Sequence, residues 1–495
     1  MASRIGIALS LCFLVVVPAL YAQKKGHHLR VKLDNYPEKE VVLGFYYGDK
    51  PYVKDTAEID ADGYFTFKAD TLLPCGVYLF VLKPDNTFIQ FLLPEEGQQF
   101  TLITDAKDPV NKMKVKGSED NRLFYEYLAY LNRQRAAVDS IRTKLEELKG
   151  NPTDSLRLVR QSTEIDRQVR NYQQALIQKH PKTMCAKIVK SSLEPEIPEF
   201  EGEDSKEVQL RKYYWYRDHY FDNLDIADPC LLRSPLLHPK VDNFVNKVVP
   251  QHPDSINVAI DTVVERIKNS PEVYKYFLIH FLNTYAKSNI VGMDACYVHV
   301  AQKYYCNGGA PWVKEEDLEK ICDNARRLEP ILIGKTAPNI YVRDKNNRLV
   351  SLWDVDADYT VLFFWAPDCG HCKKAAPHMV EFAQKFKDRN IKVFNVCTAV
   401  VTGKDDADTP EKVHKTCWDG AAEKGFDEGL FINTYDPYLQ SRYKQLYDIQ
   451  STPQIFILDR KHEILMKRIG ADKLIEVMED VIRFQEERRK NAKGK

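Results

Sequence analysis

Tyr359-Thr360-Val361-Leu362-Phe363-Phe364-Trp365-Ala366-Pro367-Asp368-Cys369-Gly370-His371-Cys372 is the stretch that decides the fold. Its first seven residues are mostly apolar, as in a strand buried within a parallel sheet. Lys373 to Lys387 is helical in pattern, so the two cysteines fall at a strand-to-helix turn. Disulfide exchange needs a thiolate, and a cysteine of ordinary pKa near 8.5 is only ~3% ionised at neutral pH. A helix N-terminus offers unpaired N–H groups and the positive end of a dipole, which favour the anion. Cys369 is therefore the expected attacking thiol. Cys372, one turn deeper, is expected to resolve the mixed disulfide, with His371 between them tuning the pair.

Outward from this stretch, Ile391 to Cys397 reads as the next strand and is followed by an insertion read as helical up to Tyr447. Gln454 to Leu458 and Ile464 to Ile469 read as strands around a turn, and a last helix carries Leu474, Met478, Val481 and Ile482 on one side. Thr452-Pro453 precedes the penultimate strand. Pro453 is expected to be cis, leaving main-chain groups of Thr452 to pair with an extended substrate. Half a zinc site has the same cysteine spacing, but no second pair with zinc spacing exists, so no metal is expected. Cys397 and Cys417 could form a second redox pair. A buried thiol with an incidental neighbour is the expected case.

Upstream, residues 23–117 alternate in short runs cut by turn residues and read as an antiparallel β domain of sandwich type. Asp60-Ala61-Asp62-Gly63 has the acids of a calcium loop without the remaining ligand spacing, and reads as a hairpin turn. Residues 118–330 read as an all-α region. It opens with a helical hairpin split at Gly150-Asn151-Pro152, and continues with Ile256, Ile260, Val263, Val264 and Ile267 on one face and a helix started by Ser270-Pro271. The aromatic clusters Tyr213 to Tyr216 and Tyr274 to Tyr285 read as packing surfaces rather than ligand sites.

Residues 1–22 read as an export signal: Arg4, an apolar run from Ile5 to Leu20, then Tyr21-Ala22. The run is shorter than the ~20 residues of a membrane span. The whole chain has 71 basic and 71 acidic residues, a balance that gives no electrostatic case for nucleic acid. Ten of the 11 cysteines lie beyond the signal. Their wide spread shows no small-scaffold disulfide framework, so most are expected to be buried free thiols, with one pair among them allowed.

Strand, helix, strand, helix, two antiparallel strands and a helix over residues 331–495 is the thioredoxin order. Gly334 with Ala337-Pro338, Phe364-Trp365-Ala366, the Cys369 to Cys372 motif, Pro377, Asp436 and Ser451-Thr452-Pro453 make this part resemble the TlpA/ResA-like envelope thiol-disulfide oxidoreductases. The upstream parts are similar to uncharacterised domains that precede such thioredoxins. The resemblance implies an α/β thioredoxin-like fold and exchange with protein thiols or disulfides in the periplasm or cell envelope. It also implies no cofactor, a membrane-bound electron donor, and substrate contacts at Trp365, Thr452 and Pro453. Many relatives carry a buried acid where Phe363 or Ala375 stands here. The Gly-His pair between the thiols is that of protein disulfide isomerase, so reductase, isomerase and oxidase directions all stay open. Two rivals stand beside this reading. One is a partner-binding protein that uses the thioredoxin fold as a scaffold. The other is a peroxidase of the peroxiredoxin kind, disfavoured by Ala366 where a threonine is expected.

Overall fold

The computed structural model describes residues 26–147, 152–202, 205–403 and 409–493. The expected export signal over 1–22 lies outside them. The chain divides into two compact units, Met1–Val241 and Asp242–Lys495.

The first unit opens with eight strands: β1 (His27–Asp34), β2 (Glu40–Tyr47), β3 (Lys50–Glu58), β4 (Phe65–Ala69), β5 (Gly76–Leu82), β6 (Thr87–Leu93), β7 (Gln99–Asp105) and β8 (Lys114–Lys116). They form two four-stranded sheets, ordered β4-β1-β7-β8 and β3-β2-β5-β6. All pairings are antiparallel except β1 with β7, which is parallel. The period-two pattern of β1 turns Leu29, Val31 and Leu33 inward. They join a core in which the Phe80 and Phe91 rings stack at 4.4 Å. The acidic stretch after Ile59 is the hairpin turn expected, because the Asp60 carboxylate accepts the N–H groups of Asp62 at 3.0 Å and Tyr64 at 2.8 Å.

Helices α1 (Glu119–Glu147) and α2 (Pro152–Lys179) form the expected hairpin. Gly117 makes the entry possible: its φ is +84°, and a Cβ there would lie 2.8 Å from the Gln99 carbonyl. Asn121 then docks α1 on the sheet, accepting the Leu92 N–H and donating to the Leu92 carbonyl, both at 2.8 Å. Four shorter helices follow: α3 (Met184–Ser191), α4 (Lys206–His219), α5 (Pro229–Leu232) and α6 (Leu237–Asn243).

The second unit continues with α7 (Pro253–Ile267), α8 (Pro271–Ala286), α9 (Asp294–Val300) and α10 (Glu315–Leu328). The predicted stripe of α7 is buried along its length. Phe277, Phe281 and Tyr285 of α8 are core residues, whereas Tyr214 in the earlier aromatic cluster is 48% exposed. The chain then builds β9 (Tyr341–Arg343), β10 (Leu349–Ser351), β11 (Tyr359–Trp365), α11 (Gly370–Lys385), β12 (Ile391–Cys397), α12 (Pro410–Glu423) and β13 (Phe431–Tyr435). It ends with α13 (Tyr443–Leu446), β14 (Gln454–Asp459), β15 (Ile464–Lys467) and α14 (Leu474–Lys493). One seven-stranded sheet results, ordered β10-β9-β13-β12-β11-β14-β15. Strand β11 lies in its interior, parallel to β12 and antiparallel to β14, and all seven of its residues are buried.

Two sequence expectations are corrected here. The insertion after Cys397 is not wholly helical: Phe431–Tyr435 is a strand parallel to β12. Its polar middle, Asn433 and Thr434, hides the apolar signal yet is satisfied inside, since Thr434 donates to the Asn395 carbonyl at 2.6 Å. Nor are most cysteines free. Cys75–Cys230, Cys306–Cys322 and Cys397–Cys417 are disulfides. Partners 155 residues apart in sequence are brought together only by the fold. Among the described residues, no helix is long and apolar enough to cross a membrane.

Within the second unit Lys467, at the end of β15, is 1% exposed. It pairs with Asp294 at the start of α9 and donates to the Ile331 carbonyl at 2.7 Å. Burial pushes its ammonium pKa down, and Asp294 opposes that shift.

Replacing Asp294 by Ala strands this ammonium and should cost about 3–5 kcal/mol, with Asp294→Leu/Lys467→Met recovering most of the loss, as read by urea midpoints. Removing the Cys75–Cys230 bond by a double serine substitution should lower the stability of the first unit by about 2–5 kcal/mol in the same measurement.

Candidate redox site

Strand β11 ends at Trp365 and α11 begins at Gly370, so a loop of four residues carries Cys369 from the sheet to the helix. Cys369 is the N-cap, with extended φ −80° and ψ 116°. Its sulfur takes the place a capping oxygen usually holds and accepts the N–H of Cys372 at 3.2 Å. The Cys369 thiol also reaches the Thr452 carbonyl at 3.3 Å. Cys372 lies one turn in, fully buried, and its sulfur accepts the Ala366 N–H at 3.5 Å.

Burial opposes ionisation of both thiols, but the outcomes differ. At Cys369 burial is the largest single cause, but hydrogen bonds from the Cys372 side chain, the Thr452 side chain and the Cys372 and His371 main chain together outweigh it. Its pKa therefore lies below the ordinary cysteine value. At Cys372 burial dominates, and the hydrogen bond with Cys369 and the charge there add to it. That thiol is pushed up to about 11. The other two free thiols described, Cys185 and Cys296, are each pushed up to about 12 by burial. Among the free thiols described, only Cys369 is shifted toward the anion.

Thr452-Pro453 is cis, as expected. Ser451, Thr452 and Pro453 form one wall of a groove of about 570 Å³, with His371, Lys374, Ala375 and His378 of α11 opposite and Ala471 and Asp472 at its end. His371 is exposed in this groove. Trp365 is not a surface contact. It is 1% exposed and packs edge-on against Phe426 at 5.3 Å, beneath α12, so its role as a substrate-contact residue is corrected. The place of the missing buried acid is apolar, since Phe363 lies in the core. Its register partner on β12, Asn395, is a buried neutral amide that donates to Asn433 at 3.0 Å. Asp436 is occupied elsewhere: its carboxylate accepts N–H groups of Gln440 and Ser441 and the Ser441 hydroxyl.

Sequence reasoning weighed Cys397 with Cys417 and expected an incidental neighbour, which the structure corrects. In the structure Cys417 of α12 is bonded to Cys397, the register partner of Trp365. Cys417 lies 45 residues beyond Cys372, and that separation leaves no local signal of this packing.

A central strand running into a helix capped by one cysteine, with a second cysteine a turn inside and a cis-proline loop against the first, defines a thioredoxin-like dithiol domain. The family models and the curated relatives agree. Residues 333–465 match the AhpC/TSA family, residues 27–124 the domain of unknown function DUF4369, and residues 165–329 the domain of unknown function DUF5106. The thiol-disulfide oxidoreductase ResA of Bacillus cereus is 26% identical over 148 residues, covering 29% of this chain and 72% of that protein. Among solved structures, a domain of a possible thiol-disulfide isomerase from Cytophaga hutchinsonii is 29% identical, covering 31% of this chain and 96% of that one, with a TM-score of 0.27. A thioredoxin-like protein from Bacteroides caccae is 19% identical and covers 58% and 96%, with a TM-score of 0.40. Residues 333–465 thus form a thioredoxin-like thiol-disulfide oxidoreductase domain similar to ResA, with two domains of unknown function ahead of it.

The pKa directions set an expected pH profile. Iodoacetamide should label Cys369 with a midpoint below the ordinary value of about 8.5, while Cys372 stays unlabelled until far more alkaline pH. Peptide mass spectrometry across pH 5 to 10 reads both, and a Cys369 midpoint at or above the ordinary value would contradict the geometry.

Proposed function

We propose that this protein is exported and exchanges disulfides with protein thiols through Cys369 and Cys372. The observation that carries the reading is the Cys369 sulfur receiving the Cys372 N–H at the start of α11, in a thiol shifted toward its anion. In the reducing direction the Cys369 thiolate attacks one sulfur of a substrate disulfide. A Cys369–substrate bond forms, and the other substrate sulfur leaves as a thiolate and is protonated by solvent. Cys372 then gives up its proton and attacks the Cys369 sulfur. The mixed disulfide breaks, the second substrate thiol leaves, and Cys369–Cys372 is the disulfide that remains. Two electrons pass to the substrate, and the same steps reversed oxidise a dithiol.

The high pKa of Cys372 fits its place as second attacker. It stays protonated, and so does not compete, until the mixed disulfide has formed beside it. His371 stands at the groove mouth, where it tunes the pair by charge or hydrogen bonding. Thr452 and Pro453 border the groove, and the Thr452 main chain is suited to pair with an extended segment beside the target cysteine.

Three disulfides support work outside the cytoplasm, where such bonds persist, and fit the signal read over 1–22. We place the protein in the periplasm or cell envelope, with its dithiol resupplied by a membrane-bound donor. On this reading the parts are the signal over 1–22, a β-rich domain over 23–117, a helical region over 118–330 and the redox domain over 331–495.

Trapping tests the roles. Cys372→Ser should accumulate mixed disulfides with envelope proteins on non-reducing gels, because the first bond forms and is not resolved. Cys369→Ser should accumulate none and should lose insulin-disulfide exchange by at least about 10³-fold, a nucleophile-sized effect. Equal exchange by both variants and wild type would remove the reading.

A further inference from the structure

Helix α12 forms a second wall behind the motif, opposite in kind to the open groove. Three features hold it there. The Cys397–Cys417 bond ties it to the end of β12. Gly420 lets it approach: a Cβ at that position would lie 3.1 Å from Pro367 Cβ and 3.4 Å from the Trp365 ring. Lys424, just past the last turn, donates Nζ to the Pro367 carbonyl at 2.8 Å and sits 5.3 Å from the centroid of the Trp365 ring.

Lys424 is 8% exposed. Among the described residues its polar contacts are that carbonyl and that ring face, with no carboxylate. A buried ammonium without a counter-ion is costly, and any anion that forms nearby relieves it. The Pro367 carbonyl is two residues from Cys369 along a loop whose next hydrogen bond, Cys369 N–H to the Ala366 carbonyl at 3.3 Å, folds the Cys369 main chain back onto the same turn.

We propose that Lys424 is a positioning residue for the attacking thiol, fixing the Pro367-Asp368-Cys369 loop through the Pro367 carbonyl and supplying a positive charge, unpaired by any carboxylate among the described residues, that favours ionised sulfur. The inference rests on Cys369 being the nucleophile. A cation that favours the thiolate stabilises the reduced dithiol, so Lys424 makes the Cys369–Cys372 disulfide the stronger oxidant. The insertion carrying α12 thus tunes the motif from outside it, on the side where the sheet has Phe363 in place of an acid.

The test uses the full chain with Lys424→Gln, Lys424→Met and Lys424→Arg. Two quantities are read: the pH midpoint of Cys369 labelling, and the equilibrium in which protein dithiol and oxidised glutathione give protein disulfide and two reduced glutathiones. Gln keeps a donor for the Pro367 carbonyl but lacks the charge. Gln and Met should raise the midpoint by about half a pH unit and move the equilibrium about threefold toward the protein disulfide, about 14 mV at 29.6 mV per tenfold. Arg should match wild type in both. Wild-type values for Lys424→Gln would overturn the proposal, as would equal shifts for Arg and Gln, which would mark packing alone. A wild-type Cys369 that titrates as an ordinary thiol would overturn the nucleophile assignment as well, so the two failures are told apart.

Discussion

One N–H···S contact, from Cys372 to Cys369 at 3.2 Å, is the constraint on which the rest depends. It exists only because the helix starts at Gly370, which leaves the first-turn N–H groups without main-chain partners and Cys369 in the capping position. The same turn of helix carries Cys372 inward beneath Ala366, where the sulfur loses water and gains no comparable set of donors. A single backbone geometry therefore splits two chemically identical groups into an acid stronger than usual and one weaker than usual. That split orders the two attacks in time, and a more symmetric placement of the thiols would leave them competing.

Much of this was legible in sequence because the determinants are local. The apolar run Tyr359 to Trp365 could only be a central strand, and the spacing of Cys369 and Cys372 is one helical turn. Thr452-Pro453 was placed by resemblance to relatives, since its contact with Cys369 spans 83 residues. What stayed hidden depends on packing. The pairing of Cys75 with Cys230 follows from which loops the folded chain brings together, and nothing near either cysteine announces it, whereas Cys397 and Cys417 were weighed as a pair and set aside. The strand β13 was missed because Asn433 and Thr434 are polar but find buried partners on β12 and at Phe426. Trp365 was taken as a substrate contact by resemblance, and only the position of α12 shows it covered.

The insertion between β12 and β14 has a structural logic of its own. It adds β13 to the sheet, so β12 becomes an interior strand, and it lays α12 over the face that holds Trp365 and Phe363. A disulfide at this place shortens no loop near the dithiol. It fixes the height of α12 above the sheet, and with it the distance from Lys424 to the motif loop. Both cysteines of this bond are buried, at 1% and 2% exposure, so the bond is shielded from the thiols that the motif meets in solution.

The redox domain is also less separable than its family match suggests. The AhpC/TSA match ends at residue 465, yet Lys467 two residues later is buried against Asp294, inside the stretch matched by DUF5106. The division of the chain at Val241 likewise cuts through the DUF5106 match and leaves its second half with the redox domain. A buried ion pair contributes little net stability, because desolvation offsets attraction, but it is intolerant of a wrong partner. Lys467 ends the edge strand β15, whose start is already covered by main-chain pairing of Ile464 with Gly334 and Lys335. The pair therefore does what an apolar contact of equal area would not: it accepts one register of α9 against that edge and penalises others. The helices before the redox domain are in this sense part of its sheet's boundary, and a redox fragment cut at residue 331 would expose a lysine that the fold has arranged to neutralise.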